Sequence, residues 1–266
     1  MHPTAPLVLI TGASSGIGQA LAAEYARRGW RLALLARRGE ALRAWALEQG
    51  LGEDRCVTYA VDVADTAAVL QAARDCLAQQ GLPDVVIANA GVSMGVDSAE
   101  AEDIEVMAQT LAINNVGLMA TFSPFIAPMR ARGSGTLVGV ASVAAIRGLP
   151  GHAAYCASKA AVVAYCESLR GELRGSGVRV VTLLPGYVKT PLTAHNRYPM
   201  PFLLDADDFA RRAVQAIAAQ TAYRVIPWPM QGVAWLLRAL PNAWFDAFFA
   251  RQPRKHRHRP TPEVDQ

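Results

Sequence analysis

A chain of 266 residues, 52% hydrophobic and 18% charged, is long enough to bury a full core and fits one large α/β domain, apolar for a soluble protein but not membrane-like in composition. Its formal charge of +4 is local: Arg251, Arg254, Lys255, Arg257 and Arg259 supply five positives with no acid between them, and no aromatic-basic interleaving appears in the core, so no nucleic-acid partner is expected. Cys56, Cys76, Cys156 and Cys166 make no CxxC pair and no His-bearing metal spacing, which leaves reduced thiols in a cytoplasmic setting and no metal as the expectation.

Residues 1–6 show no positive n-region or cleavage site, so no secretory signal is expected. Residues 7–10, Leu-Val-Leu-Ile, form an apolar run suited to a strand buried on both faces of a parallel sheet. The loop Thr11-Gly12-Ala13-Ser14-Ser15-Gly16-Ile17-Gly18 follows, and residues 19–28 then have helical spacing through Leu21, Ala22 and Tyr25. In a strand, glycine loop and helix of this kind the backbone can approach a pyrophosphate closely, and the N–H groups and dipole of the helix start hold its charge. Residues 31–36 read as the second strand. Ala36 stands where an acidic residue would bind a ribose 2′-hydroxyl, and Arg37 and Arg38 follow. Their planar forks match a 2′-phosphate, Arg37 ahead of Arg38, which predicts NADP(H); two solvated arginines capping a strand are the alternative.

A helix over 41–48 and a strand over 56–61 lead to Asp62 and Val63. Asp62 suits either a hydrogen bond to an adenine amino group or a cap on the helix at 66–79. The strand at 85–88 ends in Asn89-Ala90-Gly91, a turn expected to pass under the cofactor, with Asn89 equally suited to tying adjacent strands. Residues 104–132 carry a long helical pattern containing Asn114-Asn115-Val116-Gly117, and two Asn in mid-helix predict a local irregularity. A strand at 135–140 runs to Ser142, a helix begins near 152–155 and extends to 174, and a strand at 179–184 ends in Pro185-Gly186. The proline-rich stretch 190–201 predicts a mobile substrate lid, and a helix over 205–220 and a short strand at 223–226 complete the pattern. The alternation predicts one doubly wound, Rossmann-type parallel sheet flanked by helices, a single domain over 1–226.

Tyr155 and Lys159 are four apart, so both lie on one face of their helix. With 7 Tyr and 3 Lys in the chain, chance yields roughly 0.08 such pairs. A carbonyl accepting hydride develops negative charge on oxygen and needs a proton donor with a second donor to fix it. A free phenol titrates near about 10, and an adjacent ammonium favours phenolate, so Tyr155 assisted by Lys159 is the candidate acid.

Together these residues resemble the short-chain dehydrogenase/reductase family over roughly residues 7–226. The motifs are Thr11-Gly12-x-x-x-Gly16-x-Gly18, Asn89-Ala90-Gly91, Asn114-x-x-Gly117, Ser142, Tyr155-x-x-x-Lys159, and Pro185-Gly186 with Thr190. Ala88 and Ala141 depart from the commonest pattern without removing a group the chemistry requires. The resemblance implies an NADP(H)-dependent oxidoreductase acting on a carbonyl or secondary alcohol. Its catalytic set would be Asn114, Ser142, Tyr155 and Lys159, with Ser142 orienting the carbonyl, Lys159 also bonding the nicotinamide ribose, and Asn114 holding a relay water. Cofactor contacts would come from Gly12, Ser14, Ser15, Gly16, Ile17, Gly18, Arg37, Arg38, Asp62, Val63, Asn89, Ala90, Gly91, Tyr155, Lys159, Pro185, Gly186, Val188 and Thr190. Substrate contacts would come from Ser93, Val143, His152 and Tyr187, in a mostly apolar setting that favours a ketone or aldehyde; for His152 a bond to a loop carbonyl is the alternative. The family implies a homodimer or homotetramer. A cofactor-binding regulator or membrane-associated scaffold with little catalysis is the competing function.

Beyond the matched core, Val233, Leu236, Leu237, Leu240, Trp244 and Phe248 follow roughly helical spacing, interrupted at Pro241. The expectation is an amphipathic extension at 227–251 and a flexible basic tail at 252–266. The extension is too short and proline-bearing to span a bilayer. It would pack on the substrate pocket or a sister subunit, lie on an anionic membrane surface, or bind a partner.

Overall fold

Seven apolar runs become seven parallel strands. In the computed structural model, which describes residues 5–194, 196, 199–249 and 257, these are β1 (Leu7–Thr11), β2 (Arg31–Ala36), β3 (Cys56–Ala60), β4 (Val85–Ala88), β5 (Gly135–Val140), β6 (Val178–Pro185) and β7 (Tyr223–Ile226), ordered β3-β2-β1-β4-β5-β6-β7. β1 and β4 are buried along their whole length. Such strands need side chains that are apolar toward both faces, the pattern these runs supply. Ile10 pairs with Leu34 on one side and Ile87 on the other, so the direction of winding reverses between β1 and β4 and opens a crevice at the carboxyl edge.

Helices cover both faces. α1 (Gly16–Arg27), α2 (Gly39–Glu48) and α7 (Ala206–Ala218) bury Leu21, Tyr25, Leu42 and Phe209 against one face; α3 (Thr66–Gln79), α5 (Gly117–Arg132) and α6 (Ala153–Glu172) bury Val69, Phe122, Phe125 and Val162 against the other. Each such side chain, fully buried, contributes about 1.5–3 kcal/mol before entropy is charged. α4 (Asp103–Leu111) runs into α5 through a π-helical turn at Ala112–Val116, the irregularity expected from the paired asparagines. The helical run 103–132 is apolar and long enough to cross a membrane, but more than half of its apolar window is packed inside the protein, as in a core helix.

Past β7 the chain forms α8 (Pro229–Ala239) and α9 (Asn242–Phe249), separated at Leu240-Pro241. Pro229 opens α8, where a missing N–H costs nothing. Of the basic cluster, Arg257 is described and Arg251, Arg254, Lys255 and Arg259 lie outside the described residues. Arg257 is anchored: its Nε donates to both carboxylate oxygens of Asp103 at 2.9 Å, and its Nη2 reaches Glu102 at 3.0 Å.

Candidate active site

The crevice at the carboxyl edge holds a cleft of about 750 Å³. Arg37 and Arg38, the glycine loop, and Tyr155 with Lys159 all line it. The residues expected around a cofactor line this cleft, apart from Gly18, which packs beneath the loop. A Cβ on Gly18 would meet the Gly12 carbonyl oxygen at 2.3 Å and Asn89 Nδ2 at 2.6 Å. Gly12 has φ +68° and would drive a Cβ to within 2.8 Å of Ala90 Cα. Glycine is therefore required for the loop to lie down on the β4 turn. A dinucleotide fits this shape and donor set.

Thr11 and Asn89 lock the floor. The Thr11 hydroxyl accepts from the backbone N–H groups of Asn89 and Ala90, both at 3.1 Å, and Asn89 Nδ2 donates to the Thr11 carbonyl at 3.0 Å. Asn89 thus ties β1 to the β4 turn while it lines the cleft. One alternative falls. Asp65, not Asp62, caps α3, accepting from Ala68 N at 3.0 Å, because it occupies the residue just before the helix starts. Asp62 accepts from Ala64 N at 3.0 Å and faces Arg37 at 4.0 Å. Arg38 instead leans over the glycine loop, its Nη2 3.2 Å from Ser14 Oγ and 3.4 Å from the Ser14 carbonyl. Arg37, put ahead of Arg38 from the sequence, thus faces a carboxylate, while Arg38 points over the loop.

Ser142 leaves β5 in extended conformation and caps a short 3₁₀ turn at Val143–Ala145, its hydroxyl accepting from Ala144 N at 3.1 Å. That same hydroxyl acts on the Tyr155 phenol and favours its ionised form. The Lys159 ammonium donates to the Val140 carbonyl at 2.9 Å and sits 5.9 Å from the centre of the Tyr155 ring. Burial drives Lys159 down to about 8. Tyr155 retains an open face toward the cavities, yet the protein packed around it pushes its phenol above the ordinary value, with the Ser142 hydroxyl opposing that rise and Cys156 adding to it. A phenol lowered by the ammonium is the expectation from their spacing alone. Burial is the larger effect here, and the lysine is drawn toward Val140.

Asn114 is buried behind the pair. Its Nδ2 donates to the Val92 carbonyl at 3.0 Å and to Ser158 Oγ at 2.8 Å, while its Oδ1 accepts from Val92 N at 2.8 Å. Ser158 in turn donates to the Tyr155 carbonyl at 2.8 Å, and its own carbonyl accepts from Asn115 Nδ2 at 2.8 Å. Ser158, between Tyr155 and Lys159 in the chain, therefore joins the π turn to the helix that carries them. Oδ1 of Asn114 and Nζ of Lys159 each lie 3.2 Å from where a Cβ on Gly91 would stand, so glycine keeps the space between them open.

A second cavity of about 470 Å³ shares Ser142, Tyr155, Gly186, Leu192 and Thr193 with the cleft. Ser93, Val143, His152 and Tyr187 line it, as do Met230, Val233, Ala234 and Leu237 of α8 and Phe248 and Phe249 of α9. His152 Nδ1 is 3.1 Å from the Pro150 carbonyl, the loop-carbonyl alternative. Burial raises the Tyr187 phenol. Leu192, Thr193, Asn196, Pro199 and Pro201 of the expected lid also line this cavity, whereas His195, Arg197 and Tyr198 lie outside the described residues.

The family model for short chain dehydrogenases matches residues 6–200. The chain belongs to the short-chain dehydrogenase family. An uncharacterized oxidoreductase of Myxococcus xanthus is 41% identical over 239 residues, covering 90% of this chain and 94% of the relative. A short-chain dehydrogenase from Streptomyces avermitilis superposes with a TM-score of 0.79 at 25% identity, covering 93% of this chain and 98% of that one. A short-chain dehydrogenase from Sphingobium yanoikuyae, solved in complex with NADPH, superposes with a TM-score of 0.74 at 26% identity, covering 90% and 97%. As a short-chain dehydrogenase the chain is an oxidoreductase of the nicotinamide-dependent kind, built on a sheet with the same architecture as those structures.

Proposed function

We propose that this short-chain dehydrogenase uses NADP(H) to interconvert an apolar ketone or aldehyde and its alcohol, in the cytoplasm. The observation that carries this reading is the placement of Ser142 and Tyr155 on the wall shared by the dinucleotide-shaped cleft and the apolar cavity. A group held between them touches both compartments. NADP(H) rather than NAD(H) is supported by Ala36 in place of an acid, by Arg37 and Arg38, and by the NADPH-bound relative.

When bound, the cofactor supplies the hydride. The Tyr155 hydroxyl donates its proton to the carbonyl oxygen, and the Ser142 hydroxyl fixes that oxygen. The raised phenol keeps Tyr155 protonated for reduction at neutral pH. In the oxidative direction Tyr155 acts as base. The Lys159 ammonium faces the open space beside Gly91 that Asn114 also borders, the place through which the expected proton relay would run. The glycine loop would hold the pyrophosphate, and Arg38 with Arg37 the 2′-phosphate.

The assay is NADPH oxidation over a ketone and aldehyde panel with wild type and Tyr155→Phe. Loss of the general acid lowers turnover by about 10²–10⁴-fold. Activity surviving the substitution would refute the assignment, and NADPH binding without turnover of any carbonyl would favour the regulator or scaffold.

For the assembly, the outward residues Ile104, Met107, Val116 and Met119 of the 103–132 run offer an apolar face for a second copy. The lipid contact considered from sequence would fall on the outer face of α8 and α9, where Trp228, Trp235, Trp244 and Phe248 are exposed. Liposome binding unchanged by deletion of residues 231–266 would sink that contact.

A further inference from the structure

Arg147 stands five positions after Ser142, on the loop that leaves the 3₁₀ turn, and is half-buried. Its guanidinium donates to the backbone carbonyls of Leu237 and, at 2.6 Å, Leu240, and to Asn242 Oδ1 at 2.7 Å. It also lies 3.9 Å from the ring centre of the buried Phe245. Leu237 and Leu240 sit at the carboxyl end of α8, where carbonyls have no partner within the helix and the dipole favours a cation. Asn242 opens α9. One planar fork therefore closes α8, takes the first residue of α9 and lies on the aromatic side chain that anchors it, a combination a lysine ammonium cannot reproduce. Arg238 returns from α8 to the Ile146 carbonyl at 3.2 Å. The two arginines tie the catalytic loop to α8 and α9, which form the roof of the substrate cavity.

We propose that Arg147 is a positioning residue that fixes the height of this roof over Ser142 and so sets a preference for elongated apolar carbonyl compounds over small ones. The proposal rests on the apolar cavity being the carbonyl site. A small ketone reaches Ser142 and Tyr155 without the roof, whereas a long one must bury its tail against Met230, Val233, Leu237 and Phe249. Each methylene so buried tightens binding about fourfold.

The test compares wild type, Arg147→Met, Arg147→Lys and Asn242→Ala on the series 2-butanone to 2-dodecanone at saturating NADPH, with amide hydrogen exchange on each protein. Arg147→Met is expected to raise KM for the long ketones about tenfold or more, the loss of about two buried methylenes, with kcat changed less than about threefold. The dependence of KM on chain length flattens. Arg147→Lys recovers part of the slope, and Asn242→Ala, which removes one tie, shifts it less. Exchange in α8 and α9 accelerates while β1 to β6 stay protected. An equal loss at every chain length, or a fall in kcat with KM unmoved, would overturn the specificity role. Unchanged exchange in α8 and α9 would overturn the clamp itself. If wild type reduces no ketone of the series, the functional reading and the preference fall together, and the exchange result alone decides the clamp.

Discussion

Replacing Arg38 with alanine is expected to weaken NADPH binding about tenfold while changing NADH binding less than about threefold. Arg38 leans over the glycine loop, 3.2 Å from Ser14 Oγ, and a 2′-phosphate there would receive its fork directly. A charge-assisted hydrogen bond contributes about 1.5–3 kcal/mol net. Arg38 is exposed, so water and salt screen the interaction, and the lower end of that range, about 1.5 kcal/mol or roughly tenfold, is the appropriate figure. Arg37 is also exposed, and Asp62 lies 4.0 Å from it, so part of its charge is already answered by a carboxylate. Arg37→Ala should therefore cost NADPH less than Arg38→Ala does. Isothermal titration calorimetry of all three proteins with both cofactors at low and physiological salt measures this directly, and the Arg38 effect should shrink with added salt. Equal weakening of NADPH and NADH would show that the loop has lost its shape rather than a phosphate contact. A larger loss in Arg37→Ala would restore the order read from the sequence.

Two other outcomes follow from the geometry. Gly18→Ala puts a methyl 2.3 Å from the Gly12 carbonyl oxygen, so α1 must move off the loop; thermal unfolding should show a loss of about 1–3 kcal/mol, and a stability within 0.5 kcal/mol of wild type would contradict the packing. For pH, burial lowers Lys159 to about 8, so the ammonium is present below that value and lost above it. The kcat/KM for NADPH in ketone reduction, which reports ionisations of the free enzyme, should decline as pH rises through about 8; a profile flat to pH 10 would sink the requirement for charged Lys159.

The sequence made the strands legible because a doubly buried strand needs an uninterrupted apolar run, a local requirement visible in Leu7 to Ile10 and in Val85 to Ala88. The glycine loop was legible for a similar reason: close approach of backbone to backbone leaves room for nothing else at Gly12 and Gly18. The irregularity at Asn114 and Asn115 was announced by side chains that compete with helical hydrogen bonding. What escaped depends on packing between distant parts of the chain. Arg147 meets the carbonyls of Leu237 and Leu240, about ninety residues away, and a backbone carbonyl has no sequence signature. Ser158 gained its place only when the π turn came down on α6. Arg37 and Arg38 are indistinguishable by type, and their directions are set by Asp62 and Ser14. The phenol of Tyr155 responds to how deeply the surrounding protein encloses it, which no spacing in the sequence encodes.

Hydride transfer between a nicotinamide held in the cleft and a carbonyl held in the apolar cavity by Ser142 and Tyr155 is the reaction we propose. Its most direct test is reduction of a ketone by NADPH carrying deuterium at the transferring position of C4, with mass spectrometry of the alcohol. One deuterium on the carbinol carbon of the wild-type product, with formation of labelled alcohol reduced by about 10²–10⁴-fold in Tyr155→Phe, is the predicted result. Alcohol without deuterium from either face of the cofactor, or equal formation of labelled alcohol by the two proteins, would contradict it.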